Sequence, residues 1–262
     1  MFKFCASILF FSSLCASPPP REIPSDLWDA YTDQGQIRVV PHYNDDTAMS
    51  VGTRFFHRNE LNDLIEKAKR KEANYYGITD QWLYEILDRQ PELVVGKKVA
   101  IMGSTVPWYE AVILSYGGIP VTIDYNRIES NDDRLEFLTV EELQKNLYQF
   151  DTILSISSFE HDGLGRYGDP LDPTGDFRAM RECLSFLKPK GKLILAVPVG
   201  GDCIAWNSHR IYGPKRLPKL LEGWKIIDYA GNYKELLKNP AEDRYLQPVF
   251  LLEPQDDLDT QP

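Results

Sequence analysis

The densest run of chemistry in this chain is Ser157-Ser-Phe-Glu-His-Asp-Gly-Leu-Gly-Arg-Tyr-Gly-Asp-Pro170, which gathers carboxylates, an imidazole, a guanidinium and a phenol between glycines. Side chains of these types can move a proton and hold a polar molecule. His161 has an ordinary pKa near working pH, and Glu160 beside it can take a proton or orient a substrate. The run directly follows Asp151-Thr-Ile-Leu-Ser-Ile156, whose apolar residues read as a buried strand. A loop fixed at the end of a central strand is where function concentrates; an Ω-loop held by its own hydrogen bonds is the structural alternative.

Two further constellations point to the same edge of a sheet. Gly103-Ser104-Thr105 follows the strand-like Lys98-Val-Ala-Ile-Met102, and Pro107 stands where a helix starts, so free backbone N–H groups should face a ligand there. Asp124 ends the next apolar run about 20 residues on, the spacing at which a carboxylate takes ribose hydroxyls. A full G-x-G-x-x-G is absent, which argues against a pyrophosphate site. Asn207-Ser-His-Arg210 forms a third polar cluster after the 192–197 run. There is no G-x-S-x-G elbow and no P-loop. His42, His57, His161 and His209 lack metal-ligand spacing, so no metal site is expected. Cys183 shares a helical face with Met180, Leu184 and Leu187 and reads as core; Cys203 fits no pattern.

The elements that must position these residues alternate. Strands are expected at 98–102, 119–124, 151–156 and 192–197, with a weaker one at 135–138. Between them lie helices from Pro107 to Tyr116, after a Thr139/Glu142 capping box, and from Asp176 to Leu187. Short apolar runs alternating with helices predict parallel βαβ units. Trp224–Asp228 and Val249–Leu252, with no long helix between them, read as an antiparallel edge. Upstream, Leu61, Leu64, Ile65 and Ala68 recur at helical spacing. Trp82, Leu83, Ile86 and Leu87 predict a second helix, with Asp80 as its N-cap. The expected fold is α/β: a Rossmann-like, doubly wound, mostly parallel sheet with an antiparallel edge strand and an N-terminal helical cap.

The 262 residues, 43% hydrophobic and 12% aromatic, suffice for a full core, and a net charge of −10 argues against nucleic acid or an anionic membrane as partner. A small-molecule partner is expected, while nothing in the sequence sets the oligomeric state. Residues 1–17 have the grammar of a signal peptide: Lys3, a short apolar stretch from Phe4 to Leu14, then Cys15, Ala16 and Ser17. The stretch is too short for a membrane span. Cleavage would send the protein into the secretory pathway or outside the cell; retention would leave it cytoplasmic. Residues 18–57, opening with Pro18, Pro19, Pro20 and Pro24, read as a linker and irregular segment. The remaining divisions are the cap at 58–95, the Rossmann domain at 96–253 and an acidic disordered tail at 254–262.

The order of these pieces resembles a class I S-adenosylmethionine-dependent methyltransferase: a Gly103 turn, Asp124, Phe150-Asp-Thr-Ile into Phe159-Glu-His161, then Leu187-Lys-Pro-Lys-Gly-Lys-Leu-Ile-Leu-Ala-Val-Pro198. Ser157 to Asp169, with Pro107-Trp-Tyr-Glu110 and Asn74-Tyr-Tyr-Gly77, is similar to a domain-of-unknown-function family within that superfamily, over about residues 55–252. The resemblance implies S-adenosylmethionine as cofactor, Gly103 and Ser104 at its methionine moiety, Asp124 and Tyr125 at its ribose, and Ser157 to Glu160 beside the reacting methyl. It implies methyl transfer but no substrate; the polar side chains themselves suit a small or glycan-like molecule, with His161 or Glu160 as base. Trp108, Arg166, Tyr167, Asp169, Asn207, His209 and Arg210 are the candidates to hold that substrate. Ile101 stands where the family carries an acid before the glycine turn, and Thr105, Val106 and Pro107 replace further glycines. These departures motivate the alternative, a catalytically inactive binding module of the same fold in the secretory pathway.

Overall fold

The computed structural model describes residues 18–50, 53–146, 148–240 and 244–255. The expected signal, 1–17, and residues 256–262 of the expected tail lie outside the described residues. In chain order the elements are α1 (Trp28–Thr32), β1 (Arg38–His42), β2 (Arg54–Phe56), α2 (Arg58–Lys69), α3 (Ile78–Arg89), β3 (Lys98–Met102), α4 (Trp108–Ser115), β4 (Ile119–Asp124), β5 (Ile128–Ser130), β6 (Glu136–Thr139) and α5 (Val140–Asn146). They continue with β7 (Phe150–Ile156), α6 (Gly175–Phe186), β8 (Leu187–Ala196), β9 (Val199–Gly200), β10 (Cys203–Asn207), β11 (His209–Ile211), α7 (Arg216–Leu220), β12 (Trp224–Ala230), α8 (Tyr233–Lys238), β13 (Tyr245–Leu246) and β14 (Val249–Pro254).

Seven strands form the main sheet in the order β12-β14-β8-β7-β3-β4-β6. β6, β4, β3, β7 and β8 run parallel, and β14 enters antiparallel between β8 and β12. The sheet is therefore doubly wound and mostly parallel, with its antiparallel pair at one edge. Its apolar runs are continuous because both faces are buried. Val99, Ile101, Leu154, Ile194 and Leu251 face one core beneath α2, α3 and α4; Ala100, Ile153, Leu193, Leu195 and Phe250 face another with Met180, Cys183 and Leu217. The order of strand addition switches sides at β3: β4 and β6 lie on one side, β7 and β8 on the other. In such sheets the crevice at the carboxyl ends of the strands flanking that point is where ligands bind.

Several local signals act as expected. Thr139 and Glu142 form a reciprocal capping box, with the Thr139 N–H 2.7 Å from Glu142 Oε2 and the Glu142 N–H 3.2 Å from Thr139 Oγ1. Asp80, expected to cap α3, sits inside its first turn behind Gly77. From there Oδ2 reaches back to accept the N–H groups of Asn74, Tyr75 and Tyr76 at 2.9, 2.9 and 3.2 Å, and Oδ1 accepts the Tyr109 hydroxyl at 3.1 Å. It fastens the tyrosine loop instead of the helix end.

Residues 18–57, expected as linker, are largely structured. β1 pairs in parallel with β10 from Arg38↔Cys203 to His42↔Asn207, and Ile23, Tyr31 and Ile37 bury against Leu164, Ile204 and Trp206. The Trp206 indole N–H donates to the Pro20 carbonyl at 3.1 Å, and its ring meets Tyr31 edge-on at 5.2 Å. Cys203 is buried in β10, and the final strand extends to Pro254, inside the expected tail. Among the described residues no helix is long and apolar enough to cross a membrane. Trp206→Ala is expected to cost about 3–5 kcal/mol and to open residues 18–42 to protease ahead of the main sheet. Urea unfolding and limited proteolysis check this.

Candidate functional site

The two halves of the site flank the point where the strand order switches sides. On one side β3 ends at Gly103, whose φ of +74° only glycine adopts without strain and whose N–H donates to the Ile123 carbonyl at 2.8 Å. A Cβ there would stand 3.1 Å from Ser158 Oγ, so the turn lies directly against the loop leaving β7. Asp124 ends β4 beside this turn. Its Oδ2 accepts the Ser104 N–H at 3.4 Å and its Oδ1 the Asn126 N–H at 2.8 Å. The carboxylate has a further partner that the sequence did not suggest: Arg54 of β2 donates to Oδ1 at 2.9 Å, and its other amino group donates to the Ser104 carbonyl. Glu110, also unanticipated, is wholly buried behind the turn. It accepts the Thr122 hydroxyl at 2.7 Å, and burial raises its carboxyl above the usual range.

On the other side, Ser157 adopts φ +51°, unusual for a residue with a side chain. It donates to Glu160 Oε1 at 2.6 Å and accepts from Gln247 Nε2 at 3.2 Å. The Tyr76 hydroxyl is in hydrogen-bonding reach of Ser157 as well. Glu160 is fully buried, and its Oε2 has no hydrogen-bond partner among the described residues. Burial pushes its carboxyl up to about 7, against the opposing hydrogen bond from Ser157 and the pull of Arg210 and Arg166. His161 Nδ1 lies 2.6 Å from the Ser208 carbonyl, which can only accept, so Nδ1 carries the proton and Nε2, 3.8 Å from Glu160 Oε1, is left as acceptor. Burial pushes His161 down to about 3, so the ring is neutral near pH 7.

Around these two gather Arg166, Tyr167 and His209. Arg166 Nε pairs with Asp46 Oδ2 at 2.6 Å and stacks over Tyr167, whose ring meets His161 edge-on at 5.8 Å. His209, pushed down to about 4 by burial, lies 6.4 Å from the His161 ring and 5.4 Å from Tyr245. Tyr245, Gln247, His42 and Asn44 were not foreseen, because each lies far along the chain from the loop it adjoins. The side chains of Ser104 and Tyr125 contribute differently: Ser104 Oγ turns to the Val106 carbonyl at 3.1 Å, and Tyr125 is exposed on the rim.

Four candidates for holding a substrate are placed otherwise. Trp108 is buried in the core under α4, because the helix turns its first residue inward. Arg210 is wholly buried and donates to the carbonyls of Asp162 at 2.6 Å, Asp172 at 3.2 Å and Glu160 at 3.4 Å. Asp169 accepts the N–H groups of Gly163, Gly165 and Tyr167, at 2.7, 3.2 and 3.3 Å, and closes its own loop. Asn207 is buried, with Oδ1 accepting the Asn44 N–H at 2.9 Å. Asp169, Asn207 and Arg210 brace the segments around the site, whereas Trp108 belongs to the core. Among the described residues no group of three or more His, Cys, Asp or Glu could hold a metal ion.

Residues 96–244 match the model of a family described as Caenorhabditis protein of unknown function, DUF268. The chain belongs to this family. Arg54, Tyr76 and Gln247 lie outside the residues that match, so this DUF268 protein completes its site from flanking segments. No curated protein matches it in sequence. Solved structures similar to it include methyltransferases. One is the 1,6-didemethyltoxoflavin-N1-methyltransferase of Burkholderia thailandensis with bound S-adenosylhomocysteine, 15% identical, with 74% of this chain and 79% of that one covered and a TM-score of 0.46. Another comes from Clostridium acetobutylicum, 12% identical, covering 76% and 99% respectively with a TM-score of 0.45.

The two buried groups give opposed pH dependences. Glu160 keeps its proton to about pH 7 when folded but loses it near 4.5 when unfolded, so its contribution to stability falls as pH rises from 4.5 to 7. His161 protonates near 6.5 when unfolded and near 3 when folded, so its contribution falls as pH drops from 6.5 to 3. Between 4.5 and 6.5 the two slopes oppose each other. Glu160→Gln removes one, and the variant is expected to gain on the order of 3 kcal/mol on the wild type between pH 4.5 and 7. Urea midpoints across that range test this; parallel profiles would rule out a buried acid.

Proposed function

We propose that this protein transfers a methyl group from S-adenosylmethionine to a hydroxyl of a small, glycan-like molecule, with Glu160 as the base. The observation that carries the reading is Glu160 itself: a buried carboxyl poised at about 7, with one oxygen lacking a partner, beside the ligand crevice of a doubly wound sheet. A base works best when its pKa lies near the operating pH. His161, at about 3, is the weaker proton acceptor and serves to orient, its Nδ1 proton held by the Ser208 carbonyl.

The residues fit the cofactor in kind. S-adenosylmethionine, when bound, supplies an electrophilic methyl group, so the protein has to align the acceptor and take its proton. Asp124 offers a carboxylate to ribose hydroxyls, with Tyr125 on the rim, and Gly103 and Ser104 lie where the methionine end would rest. Ser157 fixes the Glu160 carboxyl through the 2.6 Å hydrogen bond, while Arg166, Tyr167 and His209 line the acceptor side.

One observation favours the second reading, an inactive binding module: Arg54 already holds Asp124, and Ile101 occupies the position of the family's acid. Residues 1–17 would direct either form to the secretory pathway, and N-terminal sequencing that found Met1 intact would argue for the cytoplasm. Titration of the protein with S-adenosylmethionine, followed by thermal shift, separates the two readings. At 100 times its dissociation constant the cofactor should add about 2.7 kcal/mol of stability, and Asp124→Ala should remove the effect. No stabilisation at millimolar cofactor would leave the binding module as the surviving account.

A further inference from the structure

Arg54 bridges the two elements that a ribose would also have to bridge. One amino group donates to Asp124 Oδ1 at the end of β4, and the other donates to the Ser104 carbonyl in the turn after β3. The pair is partly buried, with side-chain exposures of 20% for Arg54 and 11% for Asp124. Asp124 has little left to offer: Oδ1 also accepts the Asn126 N–H and Oδ2 the Ser104 N–H. A vicinal diol donates two hydroxyls to such a carboxylate, so it competes with the guanidinium for the same lone pairs.

We infer that Arg54 is an in-chain occupant of the ribose position, a strap that must lift from Asp124 before a nucleoside can bind; the inference rests on the cofactor reading above. The strap is built to lift. β2 has three residues and, among the described residues, pairs only with β5, in a two-stranded sheet separate from the main one. Such a sheet has little stability of its own. Its far end is anchored: Phe56 is buried against Phe137, the Ser130 hydroxyl donates to the Phe56 carbonyl at 2.8 Å, and the Arg58 N–H donates to Asn131 Oδ1 at 2.8 Å. Beyond its guanidinium, the Arg54 end is tied by its backbone N–H to the Arg127 carbonyl at 3.2 Å. A long side chain can therefore swing away while Phe56 stays seated.

The strap makes nucleoside affinity depend on how often Asp124 is free. S-Adenosylhomocysteine and adenosine both carry the diol, and 2′-deoxyadenosine lacks half of it. Calorimetric titration of these three into the wild type, Arg54→Ala and Arg54→Gln is the test. An apparent dissociation constant equals the intrinsic one divided by the open fraction, so both variants should bind S-adenosylhomocysteine and adenosine about tenfold tighter. 2′-Deoxyadenosine should gain less. In an Asp124→Ala background the gain should vanish. Equal or weaker binding by both Arg54 variants, with binding by the wild type intact, would overturn the strap and leave the cofactor reading standing. Absence of binding by all three proteins at millimolar ligand would overturn both.

Discussion

An irregular loop can be buried only if its backbone N–H and C=O groups find partners, and the site depends on how that requirement is met between Ser157 and Pro170. Arg210 meets half of it. Its guanidinium, wholly shielded from solvent, donates to three carbonyls of and around the loop, and the Asp176 carboxylate stands 3.6 Å from its Nε to balance the charge. Asp169 meets the other half by accepting three N–H groups. Gly163 completes the packing: a Cβ there would stand 2.1 Å from the Asp172 carbonyl oxygen. A cation buried without such partners would cost several kcal/mol. With them, it fixes one backbone path, and Glu160 and His161 face where that path points them.

The same arrangement explains why Glu160 keeps its proton. Arg210 donates to the Glu160 backbone carbonyl and leaves the carboxyl to Ser157. The attraction of Arg210 and Arg166 and the Ser157 hydrogen bond favour the ionised form, yet complete burial outweighs them and the carboxyl ends near 7. A direct guanidinium contact on the carboxylate would have reversed that order. The difference between a structural carboxylate and one that can exchange a proton is here a matter of which oxygen of the residue the arginine reaches.

What the amino-acid sequence disclosed follows from the range of the interactions involved. Strands β3 and β4 were legible to the residue because both faces of the sheet are buried and their apolar runs end at Gly103 and after Asp124. The Thr139/Glu142 box was legible because it is local. The N-terminal segment was not: β1 pairs with a strand more than 160 residues away, and Tyr31 donates to the Gly163 carbonyl across a similar gap. No periodicity within 18–57 encodes partners that distant. Arg54 escaped notice for the same reason. Trp108, Asp169 and Arg210 were assigned to the correct neighbourhood but the wrong side of the wall, since side-chain chemistry reveals what a residue can bind and not which way its backbone turns it.

Glu160 and Asp124 belong to different loops, yet their separation is set by neither. β3 and β7 are hydrogen-bonded neighbours in the centre of the sheet, registered at Val99↔Thr152 and Ile101↔Leu154, and the turns at Gly103 and Ser157 leave from their ends. The cap then ties across: Asp80 holds the tyrosine loop, from which Tyr75 reaches Thr105 on one side at 3.0 Å and Tyr76 reaches Ser157 on the other. Displacement of the Arg54 side chain from Asp124 would therefore leave the distance between the two halves unchanged. The alignment of the two halves thus resides in the sheet, whereas the guanidinium that covers Asp124 comes from a three-residue strand in a separate sheet.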